Sequence, residues 1–112
     1  MPDLDRKQIR SNFDDAVNMT ASEIEKWLKT PESKRVGFKK GGKGESVGHA
    51  SGRRIVAILG TTAADLDDSD YAHMRKVVGY VKRHKAQRPQ NIYTSRWRYS
   101  LMNWGHDPVK ED

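Results

Sequence analysis

The stretch Tyr71–Trp104, YAHMRKVVGYVKRHKAQRPQNIYTSRWRYSLMNW, limits most what this chain can become. It holds every Tyr and Trp except Trp27, together with eight Lys/Arg and no Asp or Glu. Its first half repeats apolar residues at helical spacing: Tyr71, Met74, Val77, Val78 and Val81 fall on a stripe roughly 120° wide. Its last part repeats them again, with Trp97, Leu101 and Trp104 at i, i+4 and i+7. Two amphipathic helices are therefore expected, at about Ser69–Ala86 and from Thr94 or Ser95 to about Asn103, separated by Arg88-Pro89 and closed by Gly105. A segment apolar enough to fold and free of acid should also meet something negative.

The rest of the chain reads as helical too. Ile9, Phe13, Ala16 and Val17 share a face over residues 3–17, with Asp3 as a possible cap. Thr20-Ala-Ser-Glu23 has the spacing of a capping box, and Ile24, Trp27 and Leu28 follow on one face. Thr30-Pro31 stops that helix and can open a further turn. Asp67 or Asp68 can cap the long helix, with Leu66 placed to staple its first turn.

Between these parts the composition changes. Six of nine glycines lie in Gly37–Gly52, along with Lys39, Lys40 and Lys43. The expected outcome is a flexible basic loop over about residues 37–50. Gly37 and Gly42-Lys43 approach a phosphate-loop pattern, but Gly44 stands where Ser or Thr is needed and no strand precedes it. Ser51 is then expected to cap a helix ending at Gly60, which would put Arg53 and Arg54 in its first turn. That is the wrong sign for the helix dipole unless an anion binds there. Otherwise the guanidiniums turn to water, or Arg54 pairs with an acid elsewhere.

The expected architecture is an all-α single domain over residues 1–112: about five helices, spread over 1–36 and a core of 51–105, with the flexible loop between them and a tail at 106–112. The chain of 112 residues and 12.8 kDa suits one small core. No apolar run approaches the about 20 residues needed to cross a bilayer, and the first residues hold no signal-like apolar segment. With no cysteine, disulfide scaffolds and thiolate metal sites are excluded. A cytoplasmic protein without membrane contact is expected.

Catalysis finds little support. His73 and His84 would stand about 16 Å apart on one helix, and no metal-binding spacing occurs. Ser46, His49 and Ser51 are near in sequence but lack an obvious acid to orient the imidazole. No enzyme activity, cofactor, metal or small-molecule substrate is expected.

Charge points to a partner instead. The net charge of +6 is uneven: residues 71–110 carry nine Lys/Arg against Asp107 alone, and Asp65, Asp67, Asp68 and Asp70 separate them from the basic loop. The expected function is DNA binding through phosphates with little sequence specificity. Arg53, Arg54, Lys76 and Arg83 would be the phosphate contacts, Lys39, Lys40 and Lys43 a flexible arm, and Arg96 and Arg98 flanking cations. Five neutralised phosphates would give a salt slope near about −4.5. Lys76 and Arg83 belong to a second line on the long helix, Ala72, Lys76, Gly79, Arg83 and Ala86. Gly79 costs a helix about 1 kcal/mol relative to Ala, which suggests close approach of a phosphate backbone or of another helix, or simply a tolerated residue on a solvated face. Tyr99 is the aromatic expected to be free, and both Trp97 and Trp104 are expected in the core. The alternatives are a protein–protein module or homodimer, through the Ala72/Gly79/Ala86 line or through Tyr99 and Met102, and RNA binding.

The segments NMTASEIEKWLKTPESKRVG, GESVGHASGRRIVAIL, DYAHMRKVVGYVKRHKAQRP and TSRWRYSLMNWGHDP resemble a family of small uncharacterised basic proteins of bacteria and fungi, a domain of unknown function. The resemblance runs from about Asn12 to Lys110. Some members are labelled DNA-binding, which agrees with the charge reading; the resemblance implies no site residue.

Overall fold

In a computed structural model, which describes residues 3–42 and 44–111, the chain is all-α, with no strand among those residues. Six α-helices follow one another: α1 Asp3–Ala16, α2 Ala21–Leu28, α3 Pro31–Arg35, α4 Val47–Leu59, α5 Asp68–Lys85 and α6 Arg96–Asn103. Short 3₁₀ turns occur at Lys40–Gly42, Ala63–Asp65 and Pro108–Glu111. Besides five longer helices, Pro31–Arg35 forms the further short turn that Thr30-Pro31 can open, capped by Thr30.

The expected start signals at Thr20, Asp67 and Ser95 form as hydrogen bonds. Thr20 and Glu23 make both bonds of a capping box, and so do Asp67 and Asp70. Leu66, just outside the α5 cap, is buried. Ser95 caps α6 by accepting from the Arg98 N–H. At the other end of α6, the Gly105 N–H donates to Met102 O and the His106 N–H to Leu101 O, a Schellman closure with Gly105 at φ +79°. Asp3 is the first helical residue of α1 rather than its cap.

α1 lies along α5, while α4 packs on α2 and α6. Phe13, Ile24, Ile55, Tyr71, Val77 and Leu101 are sealed at the centre, with Trp97 and Trp104 buried beside them. Asn103 ties three elements at one point: its Oδ1 accepts from the Trp27 indole N–H and the Ser33 hydroxyl, and its Nδ2 donates to Ser33 O.

Two expected boundaries move. The glycine-rich segment is not loop through residue 50, because α4 starts at Val47 and is capped by Ser46, whose hydroxyl accepts from the His49 N–H. Gly48 and Gly52 are therefore helical, spaced i, i+4, and they let α4 press against the end of α6. A Cβ on Gly52 would stand 2.6 Å from Asn103 O and 2.7 Å from Leu28 Cδ2; one on Gly48 would stand 2.9 Å from Trp104 Nε1. Read one residue at a time these glycines look like breakers, but here they are the contact surface. Further upstream, Gly37, Gly41, Gly42 and Gly44 do adopt positive φ, as turn glycines.

The second change is the expected tail. Gly105, His106, Asp107 and Pro108 are all buried. Asn18 bonds both the N–H and the C=O of Asp107, while His106 Nδ1 donates to Ala16 O. Residues at the start and end of the fold thus close on one another.

Candidate nucleic-acid interface

The cations singled out from sequence divide according to whether the fold supplies them with an acid. Arg53 is paired: its Nε and Nη2 reach Glu45 at 2.7 and 2.5 Å. This bond, more than the His49 ring that also meets Glu45, holds the Glu45 carboxyl at about 2. Arg54 reaches Ser69 Oγ at 2.9 Å and Asp70 at 3.4 Å, joining α4 to the start of α5. With the helix beginning at Val47, both arginines sit in its second turn and beyond. The expected clash with the dipole, and the anion invoked to relieve it, therefore disappear. Arg98 grips Asp107 at 3.0 and 3.1 Å and donates to Tyr93 O at 2.7 Å.

Lys76, Arg83 and Arg96 differ. All three are exposed, and none has an acidic or hydrogen-bonding partner among the described residues. The same holds for Arg75 and Lys82. Arg83 and Lys82 belong to the last turn of α5, where the helix dipole favours positive charge. Lys76 is mid-helix, and that explanation does not reach it. Lys39 is half-buried beside Lys34, Glu45 and His49. Lys40 lies in the 3₁₀ turn, and Lys43 falls outside the described residues.

Gly79 separates Lys76 from Arg83. A Cβ there would meet only the Arg83 guanidinium, its Nη1 at 3.0 Å, so among the described residues no other helix comes within 4 Å of it. Ala72 and Ala86, on the same line, are exposed.

Lys76 and Arg83 border a cleft of about 240 Å³ between the Phe38 loop, the start of α4, α5 and the end of α6. Phe38, Tyr80 and Trp104 also line it, and no Asp or Glu does. Phe38 is 71% exposed, the most exposed of the large apolar side chains. Three ring contacts accompany it: Tyr80 on Trp104 with centroids 4.3 Å apart, His84 5.0 Å from Tyr80, and His73 6.2 Å from Trp104. Burial raises the Tyr80 phenol, which is bonded to Ser100, and lowers the imidazoles of His84 and His73; nearby Arg54 and Lys76 lower His73 further.

Trp104 carries one open bond. Trp27 donates its indole N–H to Asn103 Oδ1 at 2.7 Å and Trp97 donates to His84 O at 2.6 Å. The Trp104 N–H, beside the bare Cα of Gly48, has no acceptor among the described residues.

A second hollow shares Lys76 and Trp104 with the first and is lined further by Ser51, Arg54, His73 and one carboxylate, Glu45, which Arg53 holds. Ser51 Oγ and His73 Nε2 are hydrogen-bonded at 2.9 Å. Ser51 is buried in mid-helix, and no carboxylate bonds the other His73 nitrogen among the described residues. His49, for which sequence offered no acid, does meet one in Glu45, but its Nε2 is spent on Leu28 O. Among the described residues no three His, Asp or Glu gather to hold a metal ion, and no helix is long and apolar enough to cross a membrane.

Sequence reasoning located Lys76 and Arg83 but not the cleft beside them. Phe38 sat in what read as loop, and the Gly48/Gly52 spacing was the available sign that α4 comes close to Trp104. Tyr99 is not free: its ring packs on Trp27, centroids 5.3 Å apart, and Met102 packs against the core. The exposed aromatics are Phe38 and Tyr93.

A family model described as "Protein of unknown function (DUF3140)" matches residues 12–102. No curated protein sequence and no solved structure matches the chain.

Proposed function

The chain belongs to this DUF3140 family of unknown function, and we propose from its geometry that it binds nucleic acid, DNA first, through phosphate contacts along α5. The observation that carries the reading is the pair Lys76 and Arg83. They are exposed, without an acid of their own, two helical turns and about 10 Å apart, on the rim of a cleft that no carboxylate lines. A cation already bonded to a carboxylate gains little from a phosphate, because the first partner must be given up. An unpaired one releases counterions and keeps the gain. Arg75 and Lys82 extend the set along α5, and Arg96 adds to it from α6. Arg53, Arg54 and Arg98 act instead as internal ties. Gly79, between Lys76 and Arg83, leaves room for a sugar–phosphate backbone to come close.

The dimer alternative has less support. A two-fold interface on the Ala72/Gly79/Ala86 line would bring Lys76 and Arg83 of two copies together, burying like charges without acids to offset them. RNA remains distinguishable by competition, since phosphate contacts of this kind are shared by both polymers.

Fluorescence anisotropy with a labelled duplex of about 20 base pairs tests the reading. Binding is expected at low salt, weakening steeply toward physiological salt. Absence of binding at low salt would overturn it, and a stable dimer by light scattering would turn the same face into a protein interface.

A further inference from the structure

We infer that the cleft between Phe38 and α5 receives one unstacked nucleotide, so that the protein prefers nucleic acid with an unpaired or extrahelical base over a perfect duplex. This rests on the nucleic-acid reading and adds a ligand part that phosphate contacts alone do not require.

Size is the first argument. At about 240 Å³ the cleft falls just below the about 300–1,000 Å³ typical of sites for drug-sized ligands, which suits a single heterocycle and its sugar. The second argument is the division of its lining. Lys76 and Arg83 stand where a phosphate would lie, while the ring-bearing residues Phe38, Tyr80 and Trp104 line the same space. Absence of carboxylate from that lining removes the usual repulsion of a phosphate.

The third argument is the state of each ring. Tyr80 and Trp104 are stacked on each other at 4.3 Å, and Tyr80 also has His84 at 5.0 Å, so these rings are already engaged with rings of the fold. Phe38 is different: it is 71% exposed, and among the described residues no ring is stacked on it. Trp104 contributes its edge, an indole N–H without an acceptor where two sister tryptophans have one. That N–H is not among the polar atoms sealed from solvent without a partner, so it is open to an acceptor from outside the fold. A base carbonyl or ring nitrogen would supply it, while Phe38 covers the face of the base. Gly48, beside that N–H, keeps the approach open, because a Cβ there would stand 2.9 Å from Nε1.

One experiment compares three labelled duplexes of equal length at one salt concentration: fully paired, with a single bulged thymidine, and with a bulged abasic site. The bulged thymidine should bind about tenfold tighter than the other two, within the range that stacking of a base on an aromatic provides. Phe38→Ala, a change at an exposed side chain, should abolish that difference and leave fully paired affinity within about twofold, while Phe38→Trp should retain it. Equal binding of all three duplexes overturns the base site and leaves phosphate binding standing. Loss of binding to all three at low salt overturns both. A preference that survives Phe38→Ala also overturns the assignment to this cleft.

Discussion

Helices α4 and α5 both carry glycine and cations, and the fold uses them in opposite ways. On α4, Gly48 and Gly52 are pressed against Trp104 and Asn103, and Arg53 and Arg54 are taken by Glu45, Ser69 and Asp70. On α5, Gly79 meets nothing but the end of the Arg83 side chain, and Lys76 and Arg83 have no acid. The same residue types are structural on one helix and unused by the structure on the other. Cations the fold does not pair are open to a partner, whereas paired ones are not, and counting basic residues cannot tell the two kinds apart.

The comparison breaks first at Gly52. Gly52→Ala adds a Cβ at 2.6 Å from a backbone carbonyl, which cannot swing away as a side chain does. Despite the better helix propensity of Ala, a loss of about 2 kcal/mol in urea denaturation is expected. A neutral result would mean that α4 and α6 are not pressed together as described. Next come the arginines. Arg98→Ala leaves the buried Asp107 carboxylate with only the Val109 N–H and should cost about 1.5–3 kcal/mol, the range for a hydrogen bond to a charged group. Arg83→Ala should change stability by less than about 0.5 kcal/mol, as for surface sites without partners. Similar losses at both would erase the distinction between internal ties and free cations.

Gly79→Ala tests the open side of the comparison. Its new Cβ meets only a mobile guanidinium, so the variant should gain up to about 1 kcal/mol from helix propensity, read as a higher Tm. A loss would show that something closes on Gly79 in the free protein. The smallest effect is the pH response of the ring run. Burial lowers the imidazoles of His73 and His84 in the folded chain. Below about pH 6.5 the unfolded chain therefore binds protons that the folded chain refuses, and stability should decline until the folded-state values are passed. Urea titrations at pH 7.5, 6.0 and 5.0 check the sign; stability that rises on acidification would contradict the burial of these rings.

Much of the fold was legible because its signals are local. Thr20 with Glu23, Asp67, Ser95, Thr30-Pro31 and Gly105 each act within one turn, and the Phe13, Ile24, Met74 and Trp97 stripes follow a 3.6-residue period. What was hidden depends on distant pairing. Gly48 read as a loop residue and Gly52 as the mere start of a helix because their justification, the end of α6, lies about fifty residues away in sequence. His106 and Asp107 read as a tail because Ala16, Asn18 and Arg98 give them their partners. The site was half legible for the same reason. Lys76, Gly79 and Arg83 form a line on one helix, but that Arg53 would be claimed by Glu45 and Arg54 by Asp70, and that Phe38 would face α5, follows only from the assembled fold.

The most direct test of the central claim is the salt dependence of duplex affinity for three proteins. These are the natural chain, the Lys76→Ala/Arg83→Ala variant and the Arg53→Ala/Arg54→Ala variant, each first checked for unchanged helix content. With about four phosphates neutralised along α5, log K against log salt should have a slope of about −3.6 for the natural chain, and losing Lys76 and Arg83 should make it shallower by about 2. The slope of the Arg53/Arg54 variant should match that of the natural chain. Equal slopes for the natural chain and the Lys76/Arg83 variant, or a shallower slope only in the Arg53/Arg54 variant, would contradict the account.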